Sequence, residues 1–237
     1  MLTIKFAIIY ILISSGIIFL SRYLGYFDSP NKRGIHKIPT INTGGLIIYL
    51  FFLSVISQGE FNYNIELIVS IGFFVCLTGF IDDRISLNPS SKILLLIIPS
   101  IYLIVNGVSI NDLGQYEYLG NLELGKFKIP FLLLAIGLLI NATNYIDGID
   151  GLLLTFFLSC LIFYIFLIDD IKTINLLKFF VVASFLNLIL NLLPSKNKFK
   201  VFSGDSGSLF IGFFISFMTI ELYNTFNIHP AVLIWPL

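Results

Sequence analysis

Long apolar blocks separated by short polar loops organise this chain from end to end. A bilayer core about 30 Å thick needs about 20 mostly apolar residues in a helix rising 1.5 Å per residue. On that scale the blocks at roughly 3–21, 44–57, 65–81, 92–106, 129–143, 151–168, 174–193 and 207–223 are predicted spans, and a ninth begins near Ile228. The predicted fold class is all-α: a polytopic transmembrane helix bundle of about eight to nine spans, built by residues 1–237 as one membrane-embedded domain. The second, fourth and fifth blocks have apolar cores nearer 13 residues, a length that also suits re-entrant or buried helices. Between the fourth and fifth, Tyr116, Tyr118, Leu122 and Leu124, divided by Gly120 and Asn121, predict a short hairpin with no catalytic part.

Composition supports this pattern. The 237 residues are 57% hydrophobic and only 12% charged, against about 25% charged in an ordinary soluble domain, which excludes a water-soluble fold. Lys plus Arg equals Asp plus Glu at 14 each, and no basic cluster resembles a phosphate-backbone footprint, so no nucleic-acid partner is expected. Cys76 and Cys160 lie in apolar runs without metal-site spacing and read as small buried hydrophobes. The run from Ile4 to Leu20 is too long for a signal-peptide core and is expected to be a retained span.

Charge then orients the bundle. If every block crosses, the loops 22–43, 82–91, 144–150 and 194–206 share one side. With their helix ends they hold nine basic residues: Arg22, Lys32, Arg33, Lys37, Arg84, Lys92, Lys196, Lys198 and Lys200. The other side holds Lys5, Lys126, Lys128, Lys172 and Lys178. The excess assigns the first set to the cytoplasm and the N-terminus to the outside.

The unusual polar clusters all fall on that predicted cytoplasmic side. From Asp28 through Lys32, Arg33, His36 and Lys37 to Gly44-Gly45 runs a basic loop, either a helix anchor or a phosphate-binding loop. Asp82 and Asp83 close the third block, where the helix dipole and mutual repulsion both disfavour them, so a cation should offset them. Arg84 could serve, as could a divalent metal or a metal-bound diphosphate. Asn141, Asn144, Asp147 and Asp150 recur at every third position, near Gly148 and Gly151, which predict a polar turn between the fifth and sixth blocks. Each carboxylate is read as a site residue or as a structurally paired buried acid. Finally, Gly204, Asp205 and Ser206 precede an apolar helix; they suit an N-cap, or a phosphate site with Mg2+ held by Asp205.

These motifs together resemble the polyprenyl-phosphate N-acetylhexosamine-1-phosphate transferases, the family that includes the muramyl-pentapeptide translocase. The matching strings run in order from Asp28 to about Phe214: D-x-P-N-x-R-x-x-H-x-x-P…GG, G-x-x-DD from Gly79, NATNYIDGIDGL from Asn141 and GDSGSLFIGF from Gly204. The resemblance implies transfer of an N-acetylhexosamine-1-phosphate from a UDP-sugar to polyprenyl phosphate with release of UMP, on the cytoplasmic face of a bacterial plasma membrane. It implies a helix bundle that is often dimeric. It further implies catalytic roles for Asp82, Asp83, Asp147 and Asp150, and substrate binding by Lys32, Arg33, His36, Lys37, Asn141, Asn144, Gly204 and Ser206. Mg2+ or Mn2+ would be held by Asp205 with Asn144. Ile41 stands where many relatives have proline, and the family's histidine-rich loop has no match before Leu237, so the chain reads as C-terminally truncated. The competing expectations are an ion-coupled transporter, whose carboxylates would bind cations, and a catalytically inactive assembly partner.

Overall fold

The computed structural model describes residues 2–28, 38–59, 61–118, 120–229 and 232. Eight α-helices dominate these residues: α1 (Leu2–Tyr23), α2 (Gly44–Ile56), α3 (Tyr63–Ile85), α4 (Pro89–Val105), α5 (Lys128–Ile146), α6 (Leu152–Leu167), α7 (Ile171–Leu192) and α8 (Gly204–Phe226). Two antiparallel strand pairs accompany them, β1 (Phe27–Asp28) with β2 (Thr40–Ile41), and β3 (Asp112–Tyr116) with β4 (Gly120–Glu123). The second pair is the hairpin expected between the fourth and fifth blocks.

Each helix coincides with one apolar block. Among the described residues five regions are long and apolar enough to cross a membrane: Lys5–Tyr23, Tyr63–Ile85, Gly125–Ile146, Ile171–Leu192 and Gly204–Phe226. Gly44–Ile56, Pro89–Val105 and Leu152–Leu167 are shorter; the 13 residues of α2 cover about 20 Å at 1.5 Å each. The fifth block is longer than its apolar core suggested, because Asn141–Ile146 stay helical and a 3-10 turn, Gly125–Phe127, precedes it. Counting apolar residues misses polar ends that remain wound. The predicted ninth span falls mostly outside the described residues.

Helices consecutive in the chain run antiparallel, whereas α2 and α6 run parallel to α8, and side-chain bonds mark the two ends of the bundle. At one end Asn64 Nδ2 donates to Glu221 Oε2 at 2.8 Å, the Tyr223 hydroxyl donates to Asp112 at 2.5 Å, and Lys128 reaches Asn111 at 2.8 Å. At the other end Ser21 meets Thr43 at 3.0 Å, Gly44 N–H donates to the Phe202 carbonyl at 2.8 Å, and Gly151 N–H donates to Asn191 at 2.6 Å. The second end gathers the described parts of the loops that alternate crossing puts on one side.

Helix α8 is the axis. Most of its residues are buried, including an unbroken run from Ser206 to Met218. Phe210 and Phe214 pack into an aromatic cluster with Phe52, Phe157 and Phe180, and Phe52 stacks on Phe180 with centroids 3.6 Å apart. Such close packing of a membrane bundle depends on small residues at helix crossings. A Cβ on Gly45 would fall 2.0 Å from the Gly207 nitrogen, and one on Gly79 would fall 2.3 Å from the Asp205 carbonyl oxygen. These two glycines let α2 and α3 touch the first turn of α8 backbone to backbone.

Candidate active site

The start of α8 is where the polar motifs meet. Gly204, at φ +69°, turns the chain into the helix, and its first turn lies against the C-terminal ends of α3 and α5. The side chain that caps this helix is not local: Ser203 makes no cap bond. Instead Asp83 of α3 accepts from the backbone N–H of Asp205 at 3.0 Å and of Ser206 at 3.4 Å. Asn42, just before α2, donates its amide to the same carboxylate at 2.9 Å. The positive end of the α8 dipole thus faces Asp83, which offsets the unfavourable place of that acid at the end of its own helix.

Asp82 finds a different partner. Its Oδ1 accepts from the Leu87 N–H at 2.7 Å, while Oδ2 pairs with Lys92 Nζ at 2.6 Å. The same ammonium pairs with Asp205 Oδ2 at 2.7 Å. Lys92 is therefore the cation that offsets Asp82, and it serves Asp205 as well. Arg84 instead stacks its guanidinium over Tyr26, 4.4 Å from the ring centroid. Sequence reasoning counted Lys92 only toward orientation. Its signal was being the sole charged side chain in the apolar stretch of α4, since an ionisable residue within such a helix is a candidate functional group.

From α5, Asn144 donates to Asp205 Oδ1 at 2.8 Å and to the Ser208 hydroxyl at 2.9 Å. Asp147 follows at the end of the helix, where Ser203 and the Gly204 N–H donate toward it. Burial pushes the Asp147 carboxyl well above the usual range, and the negative charges of Asp205 and Asp83 push it further. Asp82, Asp83, Asp147 and Asp205 so share one neighbourhood at one end of the bundle, with Lys92 and Asn144 among them.

The other predicted residues take different places: Ser206 and Gly204 adjoin the cluster, and Asp150 stands off it with its own cation. Asn141 lines a cavity of about 570 Å³. Asp150 pairs with Lys200 at 2.6 Å. Buried Ser206 gives its N–H to Asp83 and its hydroxyl to the Ser203 carbonyl at 3.4 Å. Gly204 leaves no room for a side chain, since a Cβ would sit 2.4 Å from Asn42 Oδ1. Lys32, Arg33, His36 and Lys37 fall outside the described residues.

The cavity runs between α4 and α5. Leu96, Leu133, Ile136 and Ile140 are among the apolar residues of its wall, and Asp82, Lys92, Asn141 and Tyr145 bring polar groups to it. Among the described residues no three His, Cys, Asp or Glu side chains form a metal-holding group. Mg2+ commonly takes only one or two protein carboxylates and completes its shell with water and substrate phosphates. Asp205 offers carboxylate oxygens of that kind, here engaged by Asn144 Nδ2 at Oδ1 and by Lys92 at Oδ2.

A bundle of membrane-length apolar helices with a carboxylate cluster and an adjoining apolar cavity defines a multi-pass membrane protein with an amphiphilic site. The chain belongs to Glycosyl transferase family 4, whose profile matches residues 65–223. It is 29% identical over 218 residues to the probable undecaprenyl-phosphate N-acetylglucosaminyl 1-phosphate transferase of Bacillus subtilis (strain 168), covering 89% of this chain and 59% of that protein. Against the undecaprenyl-phosphate alpha-N-acetylglucosaminyl 1-phosphate transferase of Escherichia coli (strain K12), identity is 30% over 229 residues, or 91% of this chain and 61% of that protein. The Yersinia pestis protein of the same name is 29% identical over 252 residues, 99% of this chain and 68% of its own length. The chain spans about three fifths of the first two relatives.

Proposed function

We propose that this protein transfers an N-acetylhexosamine-1-phosphate from a UDP-sugar to undecaprenyl phosphate, releasing UMP. The observation that carries the reading is the union of an apolar cavity of about 570 Å³ with Asp82 and Lys92 at the carboxylate cluster. An isoprenoid chain needs the apolar wall, and its phosphate needs the cation. The names of the relatives agree with this acceptor.

In this reading the lipid phosphate enters beside Lys92, which trades part of its pairing with Asp82 and Asp205 for a phosphate oxygen. A phosphate monoester has a second pKa near 6, so the nucleophile is already largely dianionic at neutral pH. Its oxygen attacks the β-phosphorus of the UDP-sugar; the bond from that phosphorus to the bridging oxygen breaks, and UMP leaves with the electron pair. Asp205 and Asn144 would hold Mg2+, which when bound neutralises charge on the diphosphate. Asp83 keeps the first turn of α8 fixed, and Lys92 offsets charge as the bonds exchange. Asp147 contributes a carboxyl whose burial favours the protonated form. In this reading the site faces the cytoplasm, the side to which the excess of basic residues in the sequence assigns its loops.

The test is UMP release by the purified full chain, given UDP-N-acetylglucosamine, undecaprenyl phosphate and Mg2+. The expected result is equimolar UMP and lipid diphosphate-sugar, abolished by leaving out the lipid. Absence of both products from folded protein defeats the enzymatic reading, and ion-driven solute uptake would replace it with a transporter.

A further inference from the structure

Lys200 is a buried cation outside the carboxylate cluster, with its side chain 4% exposed. Its ammonium pairs with Asp150 Oδ2 at 2.6 Å, donates to the Asn191 carbonyl at 2.9 Å, and lies 5.3 Å from the Phe202 ring centroid. Asn191, also buried, completes the joint with its side chain: Oδ1 accepts from Gly151 N–H at 2.6 Å, and Nδ2 donates to the Val201 backbone carbonyl at 3.1 Å. Three segments are fastened here. They are the turn between α5 and α6, the C-terminal end of α7, and the stretch leading into α8.

Two of these segments carry reactive groups of the proposed site. Asp147 stands three residues before Asp150, and Asp205 five after Lys200. Asp147 also receives donors from Ser203 and Gly204 in the stretch beside Lys200. We propose that Lys200 is a positioning residue which, with Asp150 as its counter-ion, sets the separation of Asp147 and Asp205. The inference rests on the transferase reading for its catalytic consequence, but not for its structural one.

The pair is lopsided. Lys200 is buried, whereas the Asp150 side chain is 52% exposed. Removing the acid strands a buried ammonium, and removing the lysine leaves a carboxylate that water can solvate. Asp150→Asn is therefore expected to be the more damaging single change, and Lys200→Met the milder one.

The experiment compares Asp150→Asn, Lys200→Met and the double variant for apparent melting temperature in detergent and for UMP release. Asp150→Asn should lower the melting temperature and cut kcat on the order of 100-fold, the scale of loss for a misplaced group remote from the chemistry, with KM for the UDP-sugar little changed. The double variant should melt above Asp150→Asn and recover kcat to within about tenfold of wild type. A double variant that melts no higher than Asp150→Asn overturns the strut. One that is stable yet as inactive as Asp150→Asn overturns the positioning role and makes Asp150 a substrate contact. If wild type itself releases no UMP, the transferase reading fails while the melting comparison still decides the strut.

Discussion

Lys92 bridges Asp82 and Asp205 at 2.6 and 2.7 Å, so two carboxylates are held together by a single ammonium. Lys92→Met would leave them facing each other without a cation and take away the charge offered to phosphate. We expect kcat to fall at least ~100-fold, the loss typical of deleting one charge-stabilising donor, with Lys92→Arg recovering part of it; UMP release at saturating substrates measures this. Asp147 gives a pH prediction. Its folded-state pKa is raised by burial and by Asp205 and Asp83, so the folded protein holds this proton to higher pH than the unfolded chain. Stability from this group is complete below the unfolded value near 3.9 and declines as pH rises toward the raised folded value. Asp147→Asn should abolish that decline, so its melting temperature relative to wild type should climb from pH 4 upward; a constant difference would contradict the assignment. The acids themselves were legible in the sequence, because paired or periodic carboxylates beside apolar helices are costly and call for a reason. Their partners were not. That Lys92, Asn42 and Lys200 serve Asp82, Asp83 and Asp150 depends on which helices adjoin, and no spacing along the chain records it.

At the scale of elements, apolar run length located all eight helices, and the glycines after Asp147 located the turn between α5 and α6. The start of α8 read as a self-capped helix, with Asp205 and Ser206 as capping candidates. Its amides are instead taken by Asp83 from α3, a tertiary cap that local sequence cannot signal. Close approach makes this cap possible. A Cβ on Gly79 would stand 2.3 Å from the Asp205 carbonyl oxygen, so Gly79→Ala must push α3 from α8 and lengthen the Asp83 bonds. A destabilisation of about 1–3 kcal/mol is expected for such overpacking, accompanied by loss of activity. Gly16→Ala is the control, since nothing lies within 4 Å of its added Cβ and the exchange favours helix. Equal melting temperatures for the two variants would show that the α3–α8 contact is not under this constraint.

Across the whole molecule, alternation of the spans foretold that four loops would share one end, and the packing brings Asp82, Asp83, Asp147 and Asp205 together there. The cavity between α4 and α5 could not be foretold, because lipid-facing and cavity-facing residues are equally apolar in a membrane helix. Gly137 tests what that cavity holds. It lies in the cavity wall, away from the carboxylates, with open space where a Cβ would go. A Phe there would extend into the volume without touching Lys92 or Asp205. If the cavity receives the isoprenoid chain, Gly137→Phe should raise KM for undecaprenyl phosphate about tenfold or more, the cost of losing about two buried methylene equivalents or more. KM for the UDP-sugar should stay unchanged. A short-chain prenyl phosphate that does not reach Gly137 should be used equally by both proteins, separating a blocked cavity from a damaged site. Unchanged KM for the long lipid would place the chain elsewhere on the bundle and remove the cavity from the argument for the acceptor.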